Sequence, residues 1–298
     1  MLLLTLSCRE SKDKFFRKMV EVKEKIHNSN GVNIGIYEYM NNGEDYLSLY
    51  CNDEYVNEKF MNYIYYNIGE CIYHIMSKEY CKNRISKYLS KNYSYVDKEE
   101  NDIIKKKTLD ILLKEEYKEE ENGRIIFLNR KNIAIKNIVN VLRENKEANL
   151  EGILTFRMNE FANVIEPIVD KVFEIYTIEK EYDEFIGLLK HFIKGVESKI
   201  YMINIDIDKN GKYKILDENG IDLLNEVDGS VMADLLIGVC NIEDVILSLL
   251  ISNVPKKVRI HGESNAKNKE FIKTIKNVFE DRVISLEEIK VNIDSLNW

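Results

Sequence analysis

Glu181 and Glu184 stand three residues apart in a stretch of helical periodicity, so their carboxylates can lie side by side, as acid–base chemistry or metal binding requires. Arg157 is a candidate cation for that pair and His261 a candidate imidazole, and an enzyme built on this chain would have to bring all four into one pocket. At 100° per residue, Glu181 falls at the edge of an apolar seam through Tyr182, Phe185 and Leu189, and Glu184 falls further out. Acidic residues flank most amphipathic helices in this way, so a solvated boundary is the simpler reading.

Three other groupings invite chemistry. His261-Gly262-Glu263-Ser264-Asn265 follows an alternating run and precedes a helical one, the place where open α/β sheets bind ligands and where free backbone N–H groups attract anions. The loop has a single glycine and no phosphate-binding signature, and Ser264 or Asn265 is accounted for as a helix cap, so His261, Gly262, Ser264 and Asn265 stand as ligand candidates only. Asp206-x-Asp208-x-Asn210-Gly211, with Asp217 at the twelfth position, follows the calcium-loop pattern. What precedes it alternates like a strand, and the Asn-Gly pair already suits a hairpin turn. Cys71, His74 and Cys81 project from similar sides of one helix, but a rise of 1.5 Å per residue separates the two cysteines by ~15 Å, too far for one ion. No metal and no cofactor is expected.

The basic run from Lys78 to Lys91 holds five cationic residues and one acidic one, and 13 of the 18 tyrosines fall between Tyr37 and Tyr95. Cations interleaved with aromatics suit single-stranded nucleic acid, through phosphate neutralisation and base stacking. Lys82, Arg84, Lys87 and Lys91 would carry that contact. An ordinary solvated helix explains the same residues.

The elements that position these groups follow from hydrophobic periodicity. Leu2–Leu6 reads as strand, Lys12–His27 as helix, and Val32–Tyr39 and Tyr46–Cys51 as strands joined through Asn41-Asn42-Gly43, a β-α-β-β order. Phe60, Ile64, Ile68, Ile72 and Ile75 share one face of a helix, and a second helix is expected over Lys98–Lys118. Its acidic tail ends at Asn122-Gly123, a stop signal, after which Arg124–Leu128 reads as strand and Ile133–Arg143 as helix. Pro167 suits the first position of a long helix to about Lys194, with Val172, Phe173, Tyr182, Phe185, Ile186, Leu189 and Phe192 on its buried side. Ile200–Ile207 and Tyr213–Leu216 form a hairpin, Val245–Ile251 a buried helix, and Lys257–His261, Ala266–Phe279 and Arg282–Leu286 a βαβ unit. The expected fold is α/β or α+β, with an N-terminal α+β region over residues 1–147 and a C-terminal α/β domain over 148–298.

Composition sets the outer limits. The 298 residues are 45% hydrophobic and 32% charged with two prolines, which excludes collagen-like and linker-dominated chains. A net charge of −8 argues against a surface built to coat nucleic acid or an anionic membrane, although residues 1–150 are close to neutral and 151–298 carry the excess acid. The first eight residues lack the basic segment of a signal peptide, and no stretch reaches the ~18 apolar residues of a membrane span. Five widely spaced cysteines without a Cys-x-x-Cys pair suit reduced thiols. The expectation is a cytoplasmic protein without membrane contact.

At Glu151-Gly-Ile-Leu-Thr-Phe-Arg157, Glu179-Lys-Glu-Tyr-Asp-Glu-Phe-Ile186, Pro255-Lys-Lys-Val-Arg-Ile-His-Gly262 and Thr274-Ile-Lys-Asn-Val-Phe-Glu-Asp-Arg-Val283, the chain resembles the YtxC-like sporulation protein family. The likeness is best over residues 150–285. It implies a cytoplasmic protein of endospore-forming bacteria, associated with sporulation, with no established reaction, cofactor or catalytic residue. These are not catalytic motifs, and no catalytic signature occurs elsewhere. The leading expectation is therefore a non-enzymatic protein acting through protein partners, or through its own copies as a homo-oligomer. Single-stranded nucleic-acid binding through residues 78–95 and a small-molecule enzyme with a site near Glu181, Glu184 and His261 are the alternatives.

Overall fold

A computed structural model describes residues 1–9, 12–114, 121–227 and 240–285, and in it the apolar run at the start of the chain becomes β1 (Leu2–Cys8), buried over its last six residues. β2 (Gly35–Asn41) and β3 (Glu44–Tyr50) pair antiparallel around a turn in which Asn42 and Gly43 both take positive φ, 51° and 78°. Those two left-handed residues match a type I′ turn to the twist of the strands. β1 lies antiparallel to β3 and parallel to the short β4 (Glu147–Asn149), giving the order β2-β3-β1-β4. With α1 (Lys12–Asn30) between β1 and β2, the β-α-β-β start is as the sequence predicts.

Five further helices complete this first compact unit, Met1–Thr177: α2 (Glu58–Asn83), α3 (Ile85–Asn92), α4 (Lys98–Leu113), α5 (Glu121–Glu144) and α6 (Leu150–Phe156), together with the first part of α7 (Met158–Gly195). Asn57 starts α2 by accepting the Phe60 N–H at 2.9 Å, and Asp97 starts α4 with Glu100 in a reciprocal capping box. α2 is the centre of the core. Ile64, Ile68, Ile72, Tyr73 and Tyr80 are all essentially inaccessible, and a Cβ on Gly69 would lie 2.8 Å from Val139 Cγ2 of α5, so the two helices meet where a side chain is missing.

Two local expectations need correction. Asn122-Gly123 does not stop a helix, and Arg124–Leu128 is not a strand; all lie within α5. A five-residue apolar run carries no period long enough to separate the two structures, and burial of Phe127 in the helical core decides it. Pro167 is inside α7 rather than at its start, because Phe161, Ala162 and Ile165 already bury one helical face ahead of it. The acidic residues 115–120 lie outside the described residues.

The second unit, Ile178–Trp298, has a sheet of order β6-β5-β7-β8. β5 (Met202–Ile207) and β6 (Tyr213–Leu216) form the expected hairpin, and β7 (Lys257–His261) runs parallel to both β5 and β8 (Val283–Ser285). Leu286, expected to extend β8, is outside the described residues. α8 (Ile242–Asn253) begins at Asn241, and α9 (Lys269–Phe279) links β7 to β8 in the predicted βαβ order. α9 starts later than the sequence suggests: Asn268, not Ser264 or Asn265, caps it by accepting the Phe271 N–H. Ile186 and Ile193 of α7 join Ile203, Ile205, Ile246, Leu250, Ile260 and Ile275 in the core of this unit. Two units of mixed helix and sheet make this an α+β protein, and the boundary read from sequence at 147/148 falls in β4, within the first unit.

Candidate functional site

Helix α7 beyond Thr177 carries two apolar stripes. One, of Tyr182, Ile186, Leu189 and Ile193, packs into the second unit. The other, of Ile178, Phe185, Leu188 and Phe192, lies about a quarter turn away at 100° per residue, and its members are 59%, 45%, 70% and 51% exposed. This corrects the sequence reading, which places Phe185 and Phe192 on the buried side. The neighbouring isoleucines, Ile186 and Ile193, are buried instead. A run of apolar residues a full turn wide gives no signal for which part of it meets the core.

Glu181 lies within this exposed stripe and Glu184 on its flank, both open to solvent. Glu184 makes an ion pair with Lys180 at 3.7 Å, one turn back on the same helix. Arg157, at the end of α6, pairs with Glu160 at 2.8 Å. These two rim a shallow recess in the first unit whose other walls include Met76, Ile138, Ile153 and Phe161. Among the described residues, no hydrogen bond or ion pair joins His261 to Glu181 or Glu184.

His261 closes β7 with its neighbour in register on β5, Asp206, and Nε2 stands 3.9 Å from the Asp206 carboxylate. Gly262 follows at φ +67°, where a Cβ would come within 2.3 Å of the Ile207 carbonyl oxygen, so the chain leaves the sheet by a path open to glycine alone. The loop is then braced internally. Asn265 Nδ2 donates to that Ile207 oxygen at 3.1 Å, Glu263 pairs with Lys276 at 2.7 Å, and Lys269 Nζ donates to the Ser264 carbonyl at 3.0 Å. Behind it, the buried Glu243 accepts from Tyr213 Oη at 2.9 Å and Asn268 Nδ2 at 2.8 Å, tying α8, β6 and the start of α9 together.

The calcium-like segment is likewise engaged with its own backbone. Asp208 accepts the N–H groups of Asn210 and Lys212, which hold its carboxyl below the usual range, and Asp217 accepts those of Asn219 and Ile221. Cys71 and Cys81 are buried in α2, and burial pushes both thiols up to about 12. Among the described residues, no group of three or more His, Cys, Asp or Glu side chains is arranged to hold a metal ion.

In the basic stretch, Lys82, Arg84, Lys87 and Lys91 are exposed, with Arg84 bonded to Asn159. The tyrosines beside them face the other way. Tyr80 is buried, and Tyr88 and Tyr93 each donate 2.8 Å hydrogen bonds to Asp170 Oδ1 of α7. Tyr93 also stacks on Phe173 at 3.8 Å. Of these rings, Tyr95 is the one left open to solvent.

A family model for the YtxC-like family matches residues 66–284, most of the chain. The chain belongs to the YtxC-like family. The match begins in α2 and ends in β8, so it takes in most of the core helix of the first unit and the described part of the second up to Ile284. No curated protein and no solved structure gives a significant match. Family membership covers the exposed α7 stripe and the His261 loop alike and assigns chemistry to neither. No helix among the described residues is long and apolar enough to cross a membrane.

Proposed function

We propose that this YtxC-like protein acts in the cytoplasm during sporulation as a protein-binding component, with α7 as its docking surface. The observation that supports this is the stripe of Ile178, Phe185, Leu188 and Phe192, four large apolar side chains exposed on one face of one helix. Scattered exposed apolar residues are ordinary, but a contiguous apolar patch of a few hundred Å² is a feature of interaction surfaces. The enzymatic reading has less support, because Arg157, Glu184 and His261 each have an acidic or basic partner close by in the fold. Nucleic-acid binding through Lys82, Arg84, Lys87 and Lys91 has less support because most of the adjacent rings are turned inward, away from where bases would stack.

The test is affinity capture from sporulating cells with the tagged wild-type chain beside a Phe185→Asp/Leu188→Asp variant. The reading predicts a stoichiometric protein in the wild-type eluate that the variant loses. An eluate that carries a bound metabolite, metal or nucleic acid equally in both, with no protein lost, would contradict it.

A further inference from the structure

We infer that the occupant of the α7 stripe is a second copy of the same helix, packed antiparallel. This rests on the reading of the stripe as a protein-binding surface and names its partner. Ile178, Phe185 and Phe192 recur every seven residues, with Leu188 three beyond Phe185, which is the a and d spacing of a two-helix seam. All four are exposed among the described residues.

Charge sets the direction. In and beside the seam the half before Phe185 carries Glu181 and Glu184 and the half after it carries His191, while Lys190 lies on the opposite face of the helix, paired with Glu280. Antiparallel packing lays Glu184 of each copy beside His191 of the other and opposes the helix dipoles favourably. Parallel packing would set acid against acid. Centred between Phe185 and Leu188, the antiparallel arrangement places Phe185 against Leu188 of the other copy, Phe192 against Glu181, and Ile178 against Gly195, where no side chain competes for the space.

Size agrees with a modest, specific contact. Four large side chains, each about half exposed, offer roughly 400 Å² per copy, or ~800 Å² for the pair before Glu184 and His191 at the rim are added, which is the size of a weak, transient interface rather than a stable one. The association should therefore be of micromolar strength. Glu181 is the one charged residue in the seam.

Sedimentation of the purified full chain from about 1 to 100 μM tests this. A concentration-dependent monomer–dimer equilibrium is expected, lost in Leu188→Asp and tightened at least tenfold in Glu181→Leu, which completes the apolar seam. The gain in the second variant cannot arise from misfolding. Orientation is read with single cysteines and a short bismaleimide. Leu188→Cys, near the symmetry point, should cross-link to itself, whereas Ile178→Cys should not, its two copies lying ~25 Å apart along the axis, but it should cross-link to Gly195→Cys in a mixed sample. A chain that stays monomeric at 100 μM, a dimer that survives Leu188→Asp, or self-linking of Ile178→Cys overturns the inference. A monomer whose captured protein is nevertheless lost on Phe185→Asp/Leu188→Asp would leave the docking surface standing with a different occupant.

Discussion

Helix α2 and the second half of α7 are both rich in apolar and aromatic residues, yet they do opposite things. In α2 both thiols and several rings face inward: Tyr73, Tyr80, Cys71 and Cys81 are core, and Gly69 lets α5 approach. In α7 the stripe of Ile186 and Ile193 is spent on the second unit, and a second stripe remains outside. Residues that look chemical in the sequence of α2 are there to fill space. Residues that look like core in the sequence of α7 are the ones left free to meet something else. Apolar content therefore says how much a helix can bury, and only the packing says how much it has buried.

The contrast can be broken at paired positions. The largest effect is expected at Ile68→Ala in α2, which empties a fully buried site and should lower unfolding stability by ~3 kcal/mol, whereas Leu188→Ala on the exposed stripe should change it by less than ~0.5 kcal/mol. Urea titration of the two variants reads this directly, and equal losses would mean that the α7 stripe is packed after all. Glycines give a second pair with opposite signs. Gly69→Ala should destabilise by about 1–2 kcal/mol, since its Cβ meets Val139 at 2.8 Å. Gly187→Ala, with nothing within 4 Å, should stabilise by up to ~1 kcal/mol through helix propensity.

The smallest effect is a pH dependence from α2. Burial, with the nearby Lys131 cation adding to it, holds His74 below its ordinary value, and its buried Nε2 has no hydrogen-bond partner among the described residues. The unfolded chain takes up that proton first. Stability is therefore complete above the ordinary histidine value of about 6.5 and declines as pH falls below it, until the lower folded value is passed. His74→Gln should remove this share of the slope between pH 7 and pH 5 in thermal melts, and identical slopes for both proteins would contradict the assignment.

Much of this was legible in the residues. Asn42-Gly43 and Asn210-Gly211 marked both hairpins because left-handed backbone at a tight turn, taken here by Asn42, Gly43 and Gly211, selects those types. The βαβ order at the end followed from alternation at Lys257–His261 and helical spacing through Phe271, Ile275 and Val278. Arg124–Leu128 was not legible, because a short run has no period, and neither was the position of Pro167, because a proline can begin a helix or sit in one that tertiary packing holds. The exposed stripe was hidden for a different reason. Phe185 and Ile186 are adjacent, Phe192 and Ile193 likewise, and which of each pair turns inward depends on strands β5 and β7, which come later in the chain.

The central claim is that α7 meets a protein through its exposed stripe. A photo-cross-linking residue at Leu188, compared with one at the equally exposed Tyr95 of the first unit, tests it inside sporulating cells. The account predicts a discrete protein adduct from position 188, at the mass of two chains, and none from position 95. No adduct from position 188, or the same adducts from both, would contradict it.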